Sequence, residues 1–454
     1  MEVAPAGTSG DDSPPAPVGP RLIDDAGMNR FLRKIIFFSS GGSFLDGYVL
    51  SLIGVALVQL TPALGLSQSE VAATGASALA GIFFGSLAGG RLTDALGRRT
   101  MFILDVSAIG VASVAACFVD AAWQLIALRF LLGFFIGADY PIATSLIAEF
   151  SPRRERAVSM GIVSGAWYLG ATAAAFVGYG LYSVDQGWRW MLGSALVPCI
   201  VLLIGRHDIP ESPRWLCQRG RLDEAKQVML KVFGTEIELD EEVPTRAGFG
   251  SVFRAGYGSR VLFLGVLILC QVVPMWAMYT FGPMIMSAFG LGEGSLSVLG
   301  EALVSVFFLI GTVPAMYWLN SLGRRPLLIG SLALMALGLL IPGIWPAAHI
   351  VVIIGAFALY AFFSGGPGIL QWLYPNEMFP TEVRATAVGV AIAISRIGVV
   401  ISTYGLPVFL AAYGIGPTML TGAGLLVIAL VLSVFMAPET RHLTLGEASA
   451  LPNN

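Results

Sequence analysis

Charge is scarce in this sequence. Asp, Glu, Lys and Arg make up 12% of its 454 residues, against about 25% in a soluble domain. Hydrophobic residues make up 56%, more than a soluble fold can hide while keeping a polar exterior. Lipid is the solvent that accepts the excess. Cysteine is rare as well. Cys117, Cys199 and Cys270 lie in apolar runs and Cys217 in a polar segment, a spacing that fits neither a disulfide framework nor a metal site. The three histidines, His207, His349 and His442, are too scattered to hold a metal. No Walker-type phosphate loop is present, so the chain does not hydrolyse ATP. No hydrolase or redox constellation appears, and neither an enzyme nor a cofactor is expected. The net charge of −3 says little, because in a membrane the position of charge matters more than its sum. No nucleic-acid partner is expected. No apolar leader with a small-residue cleavage site opens the chain, so the first span should act as an uncleaved anchor.

What the chain has is long apolar segments. A span needs about 20 mostly apolar residues, and twelve segments qualify: 35–58, 70–91, 100–119, 123–148, 157–182, 188–206, 259–288, 295–319, 327–345, 348–375, 385–411 and 416–436. All should be helical, because lipid cannot satisfy open backbone groups. With the N-terminus inside, the Lys and Arg residues fall in the tails or after even-numbered spans, except Arg129, Arg189 and Arg396. The positive-inside rule then puts both termini in the cytoplasm. The predicted fold is an all-α membrane protein with twelve transmembrane helices in two six-helix bundles. Its expected parts are a disordered tail at 1–32, a bundle at 33–206, a linker at 207–258, a second bundle at 259–437 and a tail at 438–454. Within the linker, 221–233 reads as a short amphipathic helix.

The two halves echo each other. Arg98-Arg99 matches Arg324-Arg325 at an offset of 226; Glu149 through Arg156-Ala157 matches Glu377 through Arg384-Ala385 at 228; Pro210-Glu211 matches Pro438-Glu439 at 228. Two bundles related by such a repeat put a solute site between them, near the midplane. GRLTDALGRR at 90–99, the Arg129-Phe-Leu-Leu-Gly run, PESPRWL at 210–216, EMFPTEVRA at 377–385 and PETR at 438–441 resemble the sugar-porter-like branch of the major facilitator superfamily, from about residue 33 to 442. The resemblance implies a monomeric carrier with alternating access. It departs from the branch in two places. The span-1 aspartate expected after Gly-Tyr is Val49, with Asp46 three residues earlier, and span 7 carries a lone Gln271. The Gly-Ala-Asp-Tyr-Pro run at 137–141 is similar to phosphate–proton symporters, and 45–48 and 395–398 are similar to aromatic-acid and organic-anion carriers.

Charged residues inside spans mark pathways or relays. Counting about 1.5 Å per residue from the cytoplasmic basic residue of each helix puts Asp46 about 18 Å deep, Asp139 about 21 Å and Arg396 about 18 Å. All three lie near the middle of a core about 30 Å thick. Asp46 and Asp139 are therefore candidate proton sites. Arg396 is a candidate substrate or counter-ion residue, since arginine holds a carboxylate by two parallel hydrogen bonds. Gln271, Gln371, Trp372 and Tyr168 come out at similar depth, and Trp276 could stack on a ring. Arg129 and Glu301 lie nearer the outside and Asp105 nearer the inside; these rank lower. At the inner ends, Asp94, Glu149, Arg98, Arg99 and Arg153 in one half, and Glu377, Arg324, Arg325 and Arg384 in the other, can form latches that break as the carrier turns. The bland alternative is topology-setting charge, since exposed pairs contribute about 0–1 kcal/mol. Gly81, Gly85 and Gly89, with Gly133 and Gly137, read as helix packing.

The expected function is proton-coupled uptake of a small polar metabolite, a sugar or a small organic acid, across the cell membrane. The rivals are a facilitator without a proton, a proton-driven efflux antiporter, and a transporter-like solute sensor.

Overall fold

A computed structural model describes residues 30–150, 156–233, 256–291, 294–379 and 381–441, and the side chains within them except at 90, 91, 94, 140–150, 156–160, 214, 218, 233, 291, 376, 381, 382 and 384–386. Nearly all of the described chain is helix. The first half contains α1 (Arg30–Leu64), α2 (Gln68–Leu96), α3 (Arg98–Ala116), α4 (Ala122–Phe150), α5 (Arg156–Leu181) and the broken pair α6 (Gly187–Ser194) and α7 (Leu196–Arg206). Two short helices follow, α8 (Pro213–Gln218) and α9 (Leu222–Phe233). The second half contains α10 (Gly258–Met286), α11 (Ser295–Ser321), α12 (Arg324–Ile344), the broken pair α13 (Ile350–Phe363) and α14 (Gly365–Met378), α15 (Thr381–Tyr413) and α16 (Ile415–Met436). Among the described residues, 12 helical segments are long and apolar enough to cross a membrane. The chain is a multi-pass membrane protein.

Local chemistry sets the helix ends. Ser67 and Glu70 form a reciprocal capping box that opens α2, satisfying two amides with no intrahelical partner. Ser212 caps α8, with Pro213 in its first turn, where the missing N–H costs nothing. In α10 the backbone leaves helical geometry at Phe281 (φ −130°, ψ 20°), two residues before Pro283; the proline ring breaks the local ladder.

Both ends of α1 and α2 define the two faces of the molecule. One, the terminal face, carries Lys34, Leu96 and the α8–α9 segment. There Lys34 Nζ donates to Asp208 Oδ2 at 3.0 Å, and Arg99 Nη2 donates to the His207 carbonyl at 2.9 Å. The opposite face carries Leu64 and Gln68.

Within the first half, α1 packs on α5 and α2 on α4. The second pairing explains the glycine ladder. A methyl group built on Gly81, Gly85, Gly133 or Gly137 would collide with a backbone oxygen of the facing helix. These backbones touch directly, as small-residue ladders allow. Across the halves, α5 packs on α11, α2 on α15 and α1 on α10.

Candidate functional site

Asp46, Asp105 and Asp139 come from α1, α3 and α4 and are 1%, 0% and 3% exposed. The residue between them is Arg206, the end of α7, also 0% exposed. Its Nη1 lies 3.7 Å from Asp105 Oδ1, and its Nη2 lies 3.9 Å from Asp139 Oδ2. Nη1 also donates to the Phe102 carbonyl at 2.8 Å, and Nε to the Phe38 carbonyl at 3.3 Å. The guanidinium sits over the Phe102 ring, 3.3 Å from its centroid, so one face is held by a cation–π contact. Asp46 interacts electrostatically with Asp139 and Arg206. Gly42 leaves the room for this: a Cβ there would lie 2.6 Å from Arg206 Nη2. Asp105 Oδ2, Asp139 Oδ1 and Arg206 Nη2 have no hydrogen-bond partner among the described residues. Three carboxyl groups thus surround one guanidinium in a site closed to water.

A second group of side chains lies where the halves meet. Trp167 of α5 is edge-on to Trp276 and Tyr279 of α10, at 5.6 and 5.0 Å between centroids. Tyr168 stacks on Phe308 of α11 at 5.9 Å, and Phe308 meets Tyr279 and Tyr360 at 5.0 and 5.7 Å. Trp276 Nε1, Tyr279 Oη, Tyr360 Oη, Gln271 Nε2 and Glu301 Oε2 are buried without a partner among the described residues. The other oxygen of Glu301 accepts from Ser305 Oγ at 2.9 Å. The Ser305 carbonyl in turn accepts from Thr172 of α5 at 3.1 Å. Glu301 packs into the kink of α10, where a Cβ on Gly282 would collide with it. A buried polar group without a partner is costly, so four of them around one aromatic shell, at Trp276, Tyr279, Tyr360 and Glu301, describe a site made for a polar guest.

The acid cluster and the aromatic shell are back to back. Gly47, next to Asp46, and Gly170 each bring the backbones of α1 and α5 into direct contact, at Trp167 and Phe44 respectively; a Cβ at either would collide with a carbonyl oxygen. The residue against Gly47 is the same Trp167 whose ring meets Trp276 and Tyr279.

At the terminal face the repeat appears as geometry. Gly97 and Gly323 precede α3 and α12 with φ of 95° and 100°, a backbone region that only glycine enters freely. The Glu211 carboxylate accepts from the amides of Arg98 and Arg99 at 2.9 and 3.2 Å. The Glu439 carboxylate accepts from those of Arg324 and Arg325 at 3.0 Å each. Each glutamate caps the positive end of a helix. In the second half Arg324 Nη2 also pairs with Glu377 Oε1 at 3.0 Å, and Thr440 donates to the other oxygen of Glu377.

Residues 34–451 match the family described as Sugar (and other) transporter. The chain belongs to this family. It is 52% identical over 429 residues to YaaU of Escherichia coli strain K12, covering 94% of this chain and 97% of that protein. It is 35% identical over 432 residues to the inner membrane metabolite transport protein YgcS of the same organism, covering 94% and 96%. Among solved structures it is similar to the xylose transporter XylE from E. coli, with a TM-score of 0.77 at 21% identity, covering 92% of this chain and 100% of that one. That likeness shows the major facilitator fold. The family is one of transporters, not enzymes, and the chain is a sugar or metabolite transporter of the major facilitator superfamily.

Against this family frame, the structure sorts the residues predicted from sequence. Asp46 and Asp139 meet, but the cation among them is Arg206. Arg396 is half-buried on α15, and the electrostatic partners of Asp46 are Asp139 and Arg206. Tyr168 and Trp276 join one shell, together with Glu301, which the depth count ranks lower; Gln271 is buried on α10 with its Nε2 unpartnered among the described residues. Gln371 and Trp372 are half-buried on α14, and Gln371 Nε2 donates to the Gly368 carbonyl at 3.0 Å. Gly368 itself lies against Tyr168 Oη. Arg129 lies apart in the first half. Asp94, Glu149, Arg153 and Arg384 have side chains outside the described residues. Sequence reasoning ranked Asp105 low, and it missed Arg206, Trp167 and the two capping glutamates. The repeat held a signal for the last: Glu211 and Glu439 recur at one offset.

Proposed function

We propose that this transporter is a proton-coupled symporter that takes up a small, neutral, hydroxyl-rich solute by alternating access. In this reading it works in the plasma or inner membrane, as a monomer with both termini in the cytoplasm. The observation that carries the reading is the acid cluster set back to back with a shell of unsatisfied polar groups. Three buried carboxyl groups around one guanidinium balance their charge only by holding protons, and a buried carboxyl that loads and unloads a proton is what symport needs. Asp46 and Asp139 are the proton-site residues, with Arg206 as their counter-charge. Gly47 and Trp167 join this cluster mechanically to the shell.

The shell supports a neutral solute over an anion. Trp276, Gln271 and the two tyrosines offer donors, and Glu301 offers an acceptor, with no cation in this set to hold a carboxylate. A sugar or polyol presents both kinds of partner on every carbon. XylE, which shares the fold, is a proton:xylose symporter whose structure has been solved with 6-bromo-6-deoxy-D-glucose bound, and this accords with the reading. Arg396, at mid-depth on α15, favours a second reading in which the solute is a small organic acid.

Purified protein in liposomes tests these assignments. An inward proton gradient should drive accumulation of a labelled sugar or polyol. Asp46→Asn and Asp139→Asn should each lower coupled accumulation by at least about tenfold while sparing solute exchange. Accumulation indifferent to the gradient would sink the symport reading. Uptake of labelled organic acids, lost in Arg396→Gln, would select the second reading.

A further inference from the structure

Arg129 of α4 is 4% exposed and stands without a carboxylate among the described residues. Its Nε donates to the Thr74 carbonyl at 3.0 Å, which leaves the charged end of the guanidinium uncompensated. The side chain lines a cavity of about 20 Å³ inside the first half, between α1, α3, α4 and the α6–α7 pair. The other walls are Val49, Leu52, Leu132 and Leu192 with several alanines, and Ser113 supplies the one hydroxyl side chain.

Arginine cannot shed its proton inside a protein. A buried, unpaired cation is therefore a standing cost, and it must be met by a charge from outside the chain. The space is right for one small ion. A single water needs room for about one probe sphere, and a halide is only slightly larger. A sugar, a phosphate or a carboxylate-bearing metabolite is too large for it. The walls are apolar and cannot rehydrate a strongly hydrated anion. Asp46, Asp105 and Asp139 are committed to Arg206 elsewhere in the same half.

We propose that Arg129 holds a small, weakly hydrated monovalent anion, such as chloride, as a structural counter-ion of the first six spans. The site is separate from the acid cluster and from the aromatic shell, so it stands whatever solute is carried.

The test uses full-length protein in detergent, melted in chloride, bromide or gluconate at equal ionic strength with one cation. Chloride and bromide should raise the melting temperature over gluconate by several degrees, and the rise should saturate with halide concentration. Arg129→Gln should abolish the difference between salts. Val49→Asp supplies the missing counter-charge from the opposite wall; it should melt at the same temperature in all three salts, and it keeps the proposal testable if Arg129→Gln does not fold. In crystals soaked in bromide, an anomalous peak should lie beside the Arg129 guanidinium. Equal melting of the unaltered protein in all three salts would overturn the proposal. So would a halide effect that survives in Val49→Asp.

Discussion

The two halves share a frame and differ in what they bury. Gly97 with Glu211 and Gly323 with Glu439 build the same elbow twice, with nearly the same φ and the same pair of capped amides. The acid cluster has no such twin. At the repeat offsets, Asp105 corresponds to Ser331, Asp139 to Pro367 and Arg206 to Val434. α1 and α10 begin 228 positions apart, which matches Asp46 to Pro274. The second half instead supplies Trp276, Tyr279, Glu301, Phe308 and Tyr360 to the shell. Duplication preserved the parts that turn the chain at the terminal face, and the interiors diverged: one half holds charge, the other holds open hydrogen-bonding groups. On the reading proposed above, proton handling and solute recognition are divided between the halves and joined at Trp167.

The largest test of this division is Arg206→Met. It leaves three buried carboxyls with no counter-charge, and breaking such a pair costs about 3–5 kcal/mol. Thermal unfolding in detergent should show a large loss, partly restored in Arg206→Lys. A variant as stable as the parent would mean that the cluster carries no charge at all. Glu301→Gln should then separate the halves. It removes one charge-assisted hydrogen bond, worth about 1.5–3 kcal/mol, so solute affinity should fall by at least about tenfold. The dependence of uptake on the proton gradient should persist; its loss would assign Glu301 to the proton path. Next come the paired caps. Glu211→Gln and Glu439→Gln should each cost about 1 kcal/mol, with similar losses, since the two elbows are alike. Unequal losses would show that the repeat is only geometric. The smallest effect belongs to Lys34→Ala. Lys34 holds the exposed Asp208 carboxyl below the usual carboxylate range, but solvent screens such a pair. No shift in melting should be measurable near neutral pH.

The fold was legible because its signals are long and redundant. Twelve apolar runs, segregated basic residues and three repeat matches all agree, and each survives an error of a few residues. The site was legible in part. Counting rise per residue brought Asp46 and Asp139 to one level, and they do meet. The count passed over Arg206, because an arginine at the end of a span looks like topology-setting charge. Depth alone cannot say which way a side chain turns, and Arg206 turns inward over Phe102. The repeat was the better guide: a basic residue whose counterpart is Val434 has lost its excuse as a shared anchor. Arg396, counted to a similar depth, is half-buried on α15 and is not among the groups that act on Asp46. The kink at Phe281, which admits Glu301, follows from Pro283, but the sequence does not say what fills a kink.

The glycine contacts between α2 and α4 have a mechanical consequence. Two helices that touch main chain to main chain have no side chains between them to repack, so they tilt as one plank. Motion must be taken up elsewhere, and the seam between α5 and α11 is built for it. There Met316 fills the space over Gly161 and Gly165, and an unbranched thioether slides over bare backbone at little cost. Rocking in this carrier would turn on a greased bearing rather than on a bending beam.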